Sequence, residues 1–274
     1  MTAEAQPEVV RCAVLGSPIA HSLSPALHRA AYAELGLRHW RYDRQEVTAQ
    51  TLPAFVAGLD DSWRGLSLTM PLKAVALSLG EVDPVAELAG AGNTLLLDPT
   101  GRQVHNTDVP GLVWAVRRVL EAPVPVVTVL GAGATARSAL VSAAQLGASR
   151  VQVVARTPER ARALLPLADR LGVGLVVLPW DAVPAPADLL VSTVTTGAAD
   201  ARAQVWVATA PVVFDVVYDP WPTALATAAE HAGCRVLSGL DLLVGQALVQ
   251  IELMTGHEAS ASVLMSAGLA ALGR

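Results

Sequence analysis

Cysteine is almost absent. Cys12 and Cys234 are the only two in 274 residues, which excludes a disulfide framework and any CxxC zinc or redox pair. Basic charge is not in excess: 19 Lys and Arg against 24 Asp and Glu leave a net charge of −5. With a pI near 5.7, the chain has no global positive field to hold nucleic acid. Charged residues of either sign make up only 16%, against about 25% in an ordinary soluble domain. A long apolar run is missing too. The longest stretch free of Asp, Glu, Lys and Arg, Cys12 to His28, is interrupted by Gly16, Pro18, Pro25 and two histidines, so no membrane span is expected. The opening MTAEAQPEVVR carries acids early and no apolar core, so no signal peptide is expected and a reducing cytoplasm is the expected compartment. His21, His28, His39, His105, His231 and His257 lack metal-ligand spacing, so no metal site is expected.

What the chain has is apolar residues, 53% of the total, enough to offset the entropy of ordering one large domain or two ordinary ones. Short β-rich runs alternate with longer Ala/Leu-rich stretches, the rhythm of βαβ units and a parallel sheet. Cys12 to Leu15 reads as a buried strand followed by a helix, with Ser24 as N-cap, Pro25 at its first position and Gly36 at its end. Strands are expected near 41–47, 65–68 and 92–97, and Asp98-Pro-Thr-Gly101 reads as a hairpin turn into 102–105. A helix follows over 109–120. Beyond the prolines at 123 and 125, strands are expected at 126–130, 150–155, 173–178, 188–192, 212–216 and 233–237. Two apolar helices, about 240–255 and 260–272, finish the chain and are expected to pack back on the first domain.

Val126 to Leu130 runs into Gly131-Ala132-Gly133-Ala134-Thr135-Ala136 and an Ala-rich helix, a GxGxxA pattern with strand and helix flanks. Gly131 suits the tight turn and Gly133 the approach of backbone to a pyrophosphate. Ala136 is small enough for close helix–sheet packing, and the helix N-terminus offers N–H groups to the anion. The next strand ends Ala155-Arg156-Thr157, with Arg160 and Arg162 beyond and no acid at its tip. An acid there would bind a ribose 2′-hydroxyl, whereas Arg156, Thr157 and Arg160 suit a 2′-phosphate, so NADP is the expected cofactor. Arg162 reads as part of a solvated face.

Three polar clusters fall near expected strand ends in the first half: Ser22 with Ser24, Thr69 to Lys73, and Asn93-Thr94 with Asn106-Thr107-Asp108. Singly, Ser24 and Asp108 read as helix caps and Lys73 as a surface cation. Together they describe a pocket for a small polyol.

Gly16-Ser-Pro-Ile-Ala-His-Ser-Leu-Ser-Pro25, Leu68-Thr-Met-Pro-Leu-Lys73, Gly90-Ala-Gly-Asn-Thr94 and Asn106-Thr-Asp108 resemble the shikimate dehydrogenases. The glycine loop, Ala155-Arg-Thr157, Val217-Tyr-Asp-Pro220 and Ser238-Gly-Leu through Gln246 follow in that family's order, so the resemblance covers essentially the whole chain. It implies a two-domain α/β protein. Residues 1–108, completed by helices over 240–274, would form the substrate-binding catalytic domain, and 109–239 a Rossmann-type, doubly wound NADP-binding domain. It implies NADPH-dependent, reversible reduction of 3-dehydroshikimate to shikimate, on the route to chorismate and the aromatic amino acids. Lys73 and Asp108 would be the catalytic pair. Ser22 and Ser24 would hold the substrate carboxylate, with Thr69, Asn93, Tyr218 and Gln246 as further substrate contacts. Val216 and Gly239 would border the nicotinamide. A small-molecule substrate, no nucleic acid, no membrane, and a monomer or homodimer are expected.

Three places depart from the resembled pattern. Ser67 stands where Asn is usual, Gly92 where Val is common, and Val191-Ser-Thr-Val-Thr-Thr-Gly197 replaces an N-A-T run. Two rival functions are weighed. Against an NAD-preferring quinate/shikimate dehydrogenase stand Arg156 without an acid at the strand end, and Ser24 where that branch often has Thr. Against a non-catalytic NADP-binding regulatory protein stand Lys73 and Asp108, both retained.

Overall fold

In the computed structural model, residues 9–274 are described, so most of the opening stretch read for a signal peptide lies outside the described residues. The chain forms two compact units: one holds the residues up to Thr107 together with Ala247–Arg274, the other Asp108–Gln246. Among the described residues, no helix is long and apolar enough to cross a membrane.

The first unit runs β1 (Val10–Gly16), α1 (Ser24–Glu34), β2 (Trp40–Glu46), α2 (Leu52–Ala57), β3 (Trp63–Leu68), β4 (Glu81–Val82), α3 (Pro84–Ala89), β5 (Thr94–Asp98) and β6 (Gly101–His105). These strands make one sheet in the order β2-β1-β3-β5-β6-β4. Only its first half is parallel throughout. β5 runs antiparallel to both β3 and β6; between β5 and β6, Asp98 accepts hydrogen bonds from the Thr100 N–H and hydroxyl and turns the chain back on itself. The hairpin expected at Asp98 to Gly101 is present, and with it this sheet is mixed. β1 is buried on both faces. Ala13 and Leu15 join Leu66, Leu68, Leu72 and Leu95 on one side, and Cys12 and Val14 join Tyr32, Tyr42 and Met254 on the other, as the period of two requires.

The start of α1 also differs from the sequence reading. Leu23 flanks the helix and no side chain caps it; Ser24 already lies within the helix. The Ser22 hydroxyl instead accepts the Ser24 N–H at 3.4 Å. Gly36 follows the helix end at φ +69°, a left-handed conformation that favours glycine.

The second unit runs α4 (Asp108–Arg117), β7 (Val126–Leu130), α5 (Ala134–Gln145), β8 (Arg150–Ala155), α6 (Pro158–Arg162), α7 (Leu165–Leu171), β9 (Gly174–Pro179), β10 (Leu189–Ser192), α8 (Ala203–Val207), β11 (Val212–Asp215), α9 (Ala224–His231), β12 (Arg235–Ser238) and α10 (Gly239–Thr255). Its strands are all parallel, in the order β12-β11-β10-β7-β8-β9. That is the doubly wound dinucleotide-binding order, with its switch between β7 and β10. Leu130, Val154, Leu190, Val213, Trp206 and Leu225 share its core.

No proline interrupts α10, which runs unbroken through the division at 246/247. The expected boundary at 239/240 is therefore moved into the helix, and that at 108/109 to 107/108. The end of α10 and α11 (Ala261–Ala271) belong to the first unit.

Candidate active site

In the first unit, β1 is flanked by β2 on one side and β3 on the other, so the crevice of this sheet opens beyond the carboxyl ends of β1 and β3. The two chain exits are stitched together. Thr69 N–H donates to Leu15 O at 2.9 Å and Ser17 N–H to Met70 O at 3.1 Å. A Cβ on Gly16 would lie 2.4 Å from Thr69 Cγ2, so only glycine permits this approach. Leu68 N–H donates to Asn93 O at 2.7 Å, and Gly92 N–H to Lys73 O at 2.8 Å. A Cβ at position 92 would meet Val104 Cγ1 at 2.2 Å, which accounts for glycine there in this chain. Ser22, Ser24, Thr69, Lys73 and Asn93 thus gather along one sheet edge, with Ser24 and Asn93 buried and the other three half-buried. Asn106 and Thr107 join them. Thr107 N–H donates to Asn93 Oδ1 at 2.7 Å, and Asn106 Nδ2 to Ala91 O at 2.8 Å.

Behind this edge lies a polar network that the motifs do not announce. Tyr42 donates to Ser67 Oγ at 2.6 Å, and Ser67 to Gln250 Oε1 at 2.8 Å. His28 meets the same oxygen at 3.3 Å through Nε2 and stacks on Tyr42 with ring centres 3.8 Å apart. Burial drives the His28 pKa down to about 3 despite the Gln250 bond. It drives that of Tyr42 upward, opposed by the Ser67 and Ser24 hydroxyls. The sequence held one cue: Gln250 follows Gln246 by one helical turn in an otherwise apolar stretch.

A second cue passed over by the motifs concerns Lys73. It is the only lysine in the chain; every other of the 19 basic residues is arginine. A solvated cation is served equally well by arginine, but only lysine can give up its proton in a protein.

In the second unit, Gly131 follows β7 at φ +104°, and a Cβ there would lie 2.7 Å from Thr193 Oγ1. Thr193 in turn donates to Leu130 O at 2.7 Å, so the segment 191–197 braces the glycine loop at the switch point. Gly133 precedes α5 with no side chain capping the helix, and nothing lies within 4 Å of where its Cβ would be. This leaves an open cradle of first-turn N–H groups beside Ala132, Ala134 and Thr135, with Ala136 buried beneath. At the end of β8, Ala155 is buried while Arg156, Thr157 and Arg160 are exposed. Arg162 pairs with Glu159 at 3.0 Å, in keeping with a solvated face. No acid stands at this strand tip. The donor set fits a dinucleotide carrying a 2′-phosphate.

Asp108 and Gln246 lie on α4 and α10, which cross closely at Gly111 and Gly245. A Cβ on Gly111 would lie 2.6 Å from Gln246 N, and one on Gly245 would lie 2.5 Å from Gly111 O. Asp108, 4% exposed, is the first residue of α4, one turn before Gly111. Val216 and Gly239 also meet: a Cβ on Gly239 would lie 2.1 Å from Val216 O, and Gly239 N–H donates to Val217 O at 3.0 Å. Tyr218 stands half-buried just beyond, its pKa raised by burial and by Asp219. Asp215, at the tip of β11, accepts from Thr223 at 2.7 Å, yet burial holds its pKa above the usual value.

The comparisons with known proteins agree with this arrangement. A family model described as the shikimate dehydrogenase substrate binding domain matches residues 14–95. The chain is 38% identical over 262 residues to the shikimate dehydrogenase (NADP(+)) of Methylobacterium radiotolerans, covering 90% of this chain and 91% of the relative. A crystal structure of Mycobacterium tuberculosis shikimate dehydrogenase superposes with a TM-score of 0.89 at 42% identity, covering 95% of this chain and 99% of that one. One from Thermus thermophilus, in complex with NADP(H) and shikimate, gives 0.83 at 34% identity, covering 96% and 100%. A likeness that spans both units, the mixed sheet and the doubly wound one alike, places the chain in the shikimate dehydrogenase family.

Proposed function

We propose that this chain catalyses the NADP-dependent, reversible interconversion of 3-dehydroshikimate and shikimate, with Lys73 and Asp108 as its acid/base pair. The observation that carries the acid/base role is the solitary lysine, tied through its carbonyl to Gly92 beside Asn93. Reduction of a ketone leaves charge on its oxygen, and an ammonium supplies both compensating charge and the proton. In the oxidative direction the neutral amine takes the proton back. Asp108 orients that amine and hydrogen-bonds the neighbouring ring hydroxyl. Ser22 and Ser24 hold the substrate carboxylate, and Thr69, Asn93, Tyr218 and Gln246 complete the contacts with the ring.

NADP would be held by Gly131 to Ala136 at its pyrophosphate and by Arg156, Thr157 and Arg160 at its 2′-phosphate, with Ala155 beneath the adenine side. Val216 and Gly239 would border the nicotinamide, which supplies the hydride when bound. The proposal gives substrate binding chiefly to the unit that holds the residues up to Thr107 with Ala247–Arg274, and cofactor binding to Asp108–Gln246. It also includes a cytoplasmic protein, monomeric or homodimeric, acting on a small molecule without nucleic acid or membrane.

The test is a set of initial rates with shikimate and quinate, each with NADP+ and NAD+. The highest kcat/KM is expected for shikimate with NADP+, at least about tenfold above NAD+, because the charge-assisted contacts of Arg156, Thr157 and Arg160 with the 2′-phosphate are lost with the latter. Equal or better rates with NAD+ and quinate would turn the assignment toward a catabolic enzyme. Absence of turnover in all four would leave a cofactor-binding protein.

A further inference from the structure

We infer that Gln250 is a positioning residue of the substrate site, holding Asn93 in the orientation that presents its amide N–H groups to a substrate oxygen. The inference rests on the reading of Asn93 as a substrate contact. Gln250 is 2% exposed, and its amide makes four contacts. Oε1 accepts from Ser67 at 2.8 Å and meets His28 Nε2 at 3.3 Å. Nε2 donates to Thr94 Oγ1 at 3.0 Å and to Asn93 O at 3.4 Å.

The orientation of this amide is set by one group that cannot change its role. Asn93 O is a backbone carbonyl and can only accept, so the NH2 end of Gln250 must face it. Oε1 then faces Ser67, which has a single proton to give and receives that of Tyr42 in return. His28 must carry its proton on Nε2 to meet the same oxygen, which agrees with a ring held neutral down to about pH 3 and with Nδ1 having no hydrogen-bond partner among the described residues.

The consequence passes to the other side through Thr94. Its hydroxyl accepts from Gln250 and gives its proton to Asn93 Oδ1 at 3.1 Å, the nearer of two oxygens within reach, Thr107 Oγ1 lying at 3.4 Å. Asn93 Oδ1 also accepts from Thr107 N–H at 2.7 Å and from the Thr107 hydroxyl at 3.1 Å. Three donors converge on the carbonyl end of the Asn93 side chain, and the end it can turn to a ligand is the NH2. A ring hydroxyl or ketone oxygen is matched by such a donor. At its far end the chain of bonds reaches Tyr42, whose phenol also interacts with Ser24. Gln250 thus links the backing of two substrate residues far apart in sequence.

The experiment uses the full chain with Gln250→Leu, which keeps the bulk and removes both roles of the amide, and Thr94→Val, which removes the hydroxyl between Gln250 and the Asn93 side chain and leaves the Ser67 and His28 contacts of the amide in place. KM for shikimate, KM for NADP+ and kcat are measured beside the unmodified protein. Gln250→Leu is expected to raise KM for shikimate about tenfold, with kcat within about threefold and KM for NADP+ within about twofold. Thr94→Val should move the same constant about threefold, and it decides the matter if the leucine variant does not fold. In an Asn93→Ala background, Gln250→Leu should add less than about twofold, because the effect runs through Asn93. Unchanged KM for shikimate in the single variants, or an undiminished effect in the Asn93→Ala background, overturns the inference. No turnover of shikimate by the unmodified protein removes the underlying reading, and the inference with it.

Discussion

The two units build a ligand edge by opposite means. The second, fully parallel, uses backbone: a glycine turn at φ +104°, an uncapped helix start, and the Val216–Gly239 contact with no room for a Cβ. The first, with its mixed sheet, uses side chains supplied by at least five separate segments and wired together by a buried polar network. A phosphate is recognised by any row of N–H groups at a helix start. A polyol demands a particular donor or acceptor at each oxygen, and that must come from side chains whose own partners fix their direction. The difference in chemistry dictates the difference in construction.

Two changes would separate these modes, the larger first. Arg156→Ala removes the charged contact at the tip of β8 and should raise KM for NADPH about 10- to 30-fold, leaving the KM for NADH and for substrate near their original values. A matching loss with NADH would show that Arg156 holds something other than the 2′-phosphate. The smaller effect lies in the first unit. His28 has its folded pKa lowered to about 3 from an ordinary 6.5. Below pH 6.5 the unfolded chain therefore binds a proton that the folded one refuses, and stability falls with pH until about pH 3. The loss amounts to about 1.4 kcal/mol at pH 5.5. Urea unfolding at pH 7.5 and 5.5 should show it in the unmodified protein and not in His28→Gln; an equal loss in both would place the acid sensitivity elsewhere.

The backbone-built unit was the more legible in the sequence. β7 and β8 fall on 126–130 and 150–155 as read, since short valine-rich runs bounded by glycine and proline have few other uses. Glycine advertises its geometry, so the loop at 131–136 could be located without any partner. In the first unit, Ser22, Ser24, Thr69, Lys73 and Asn93 were legible through their motifs. Tyr42, His28 and Gln250 were not, and Ser67 stood out only as a departure from the resembled pattern, because none of the four carries a local sign of its partners. His28 and Gln250 stand 222 positions apart, and nothing local links them. The Ser24 cap failed for a related reason: the choice between Ser22 and Ser24 depends on the turn before α1, and both are residues that favour such positions. The division within α10 was missed because one helix serves both units.

The central claim is that the chain's solitary lysine moves a proton and does not merely supply charge. Lys73→Arg keeps the positive charge but cannot release a proton near neutral pH. Initial rates of shikimate oxidation with NADP+, together with NADPH binding by fluorescence, measure the two properties apart. Turnover is predicted to fall by about three powers of ten, with NADPH affinity within about twofold of the unmodified protein. Turnover by the arginine variant at the original rate would contradict the account.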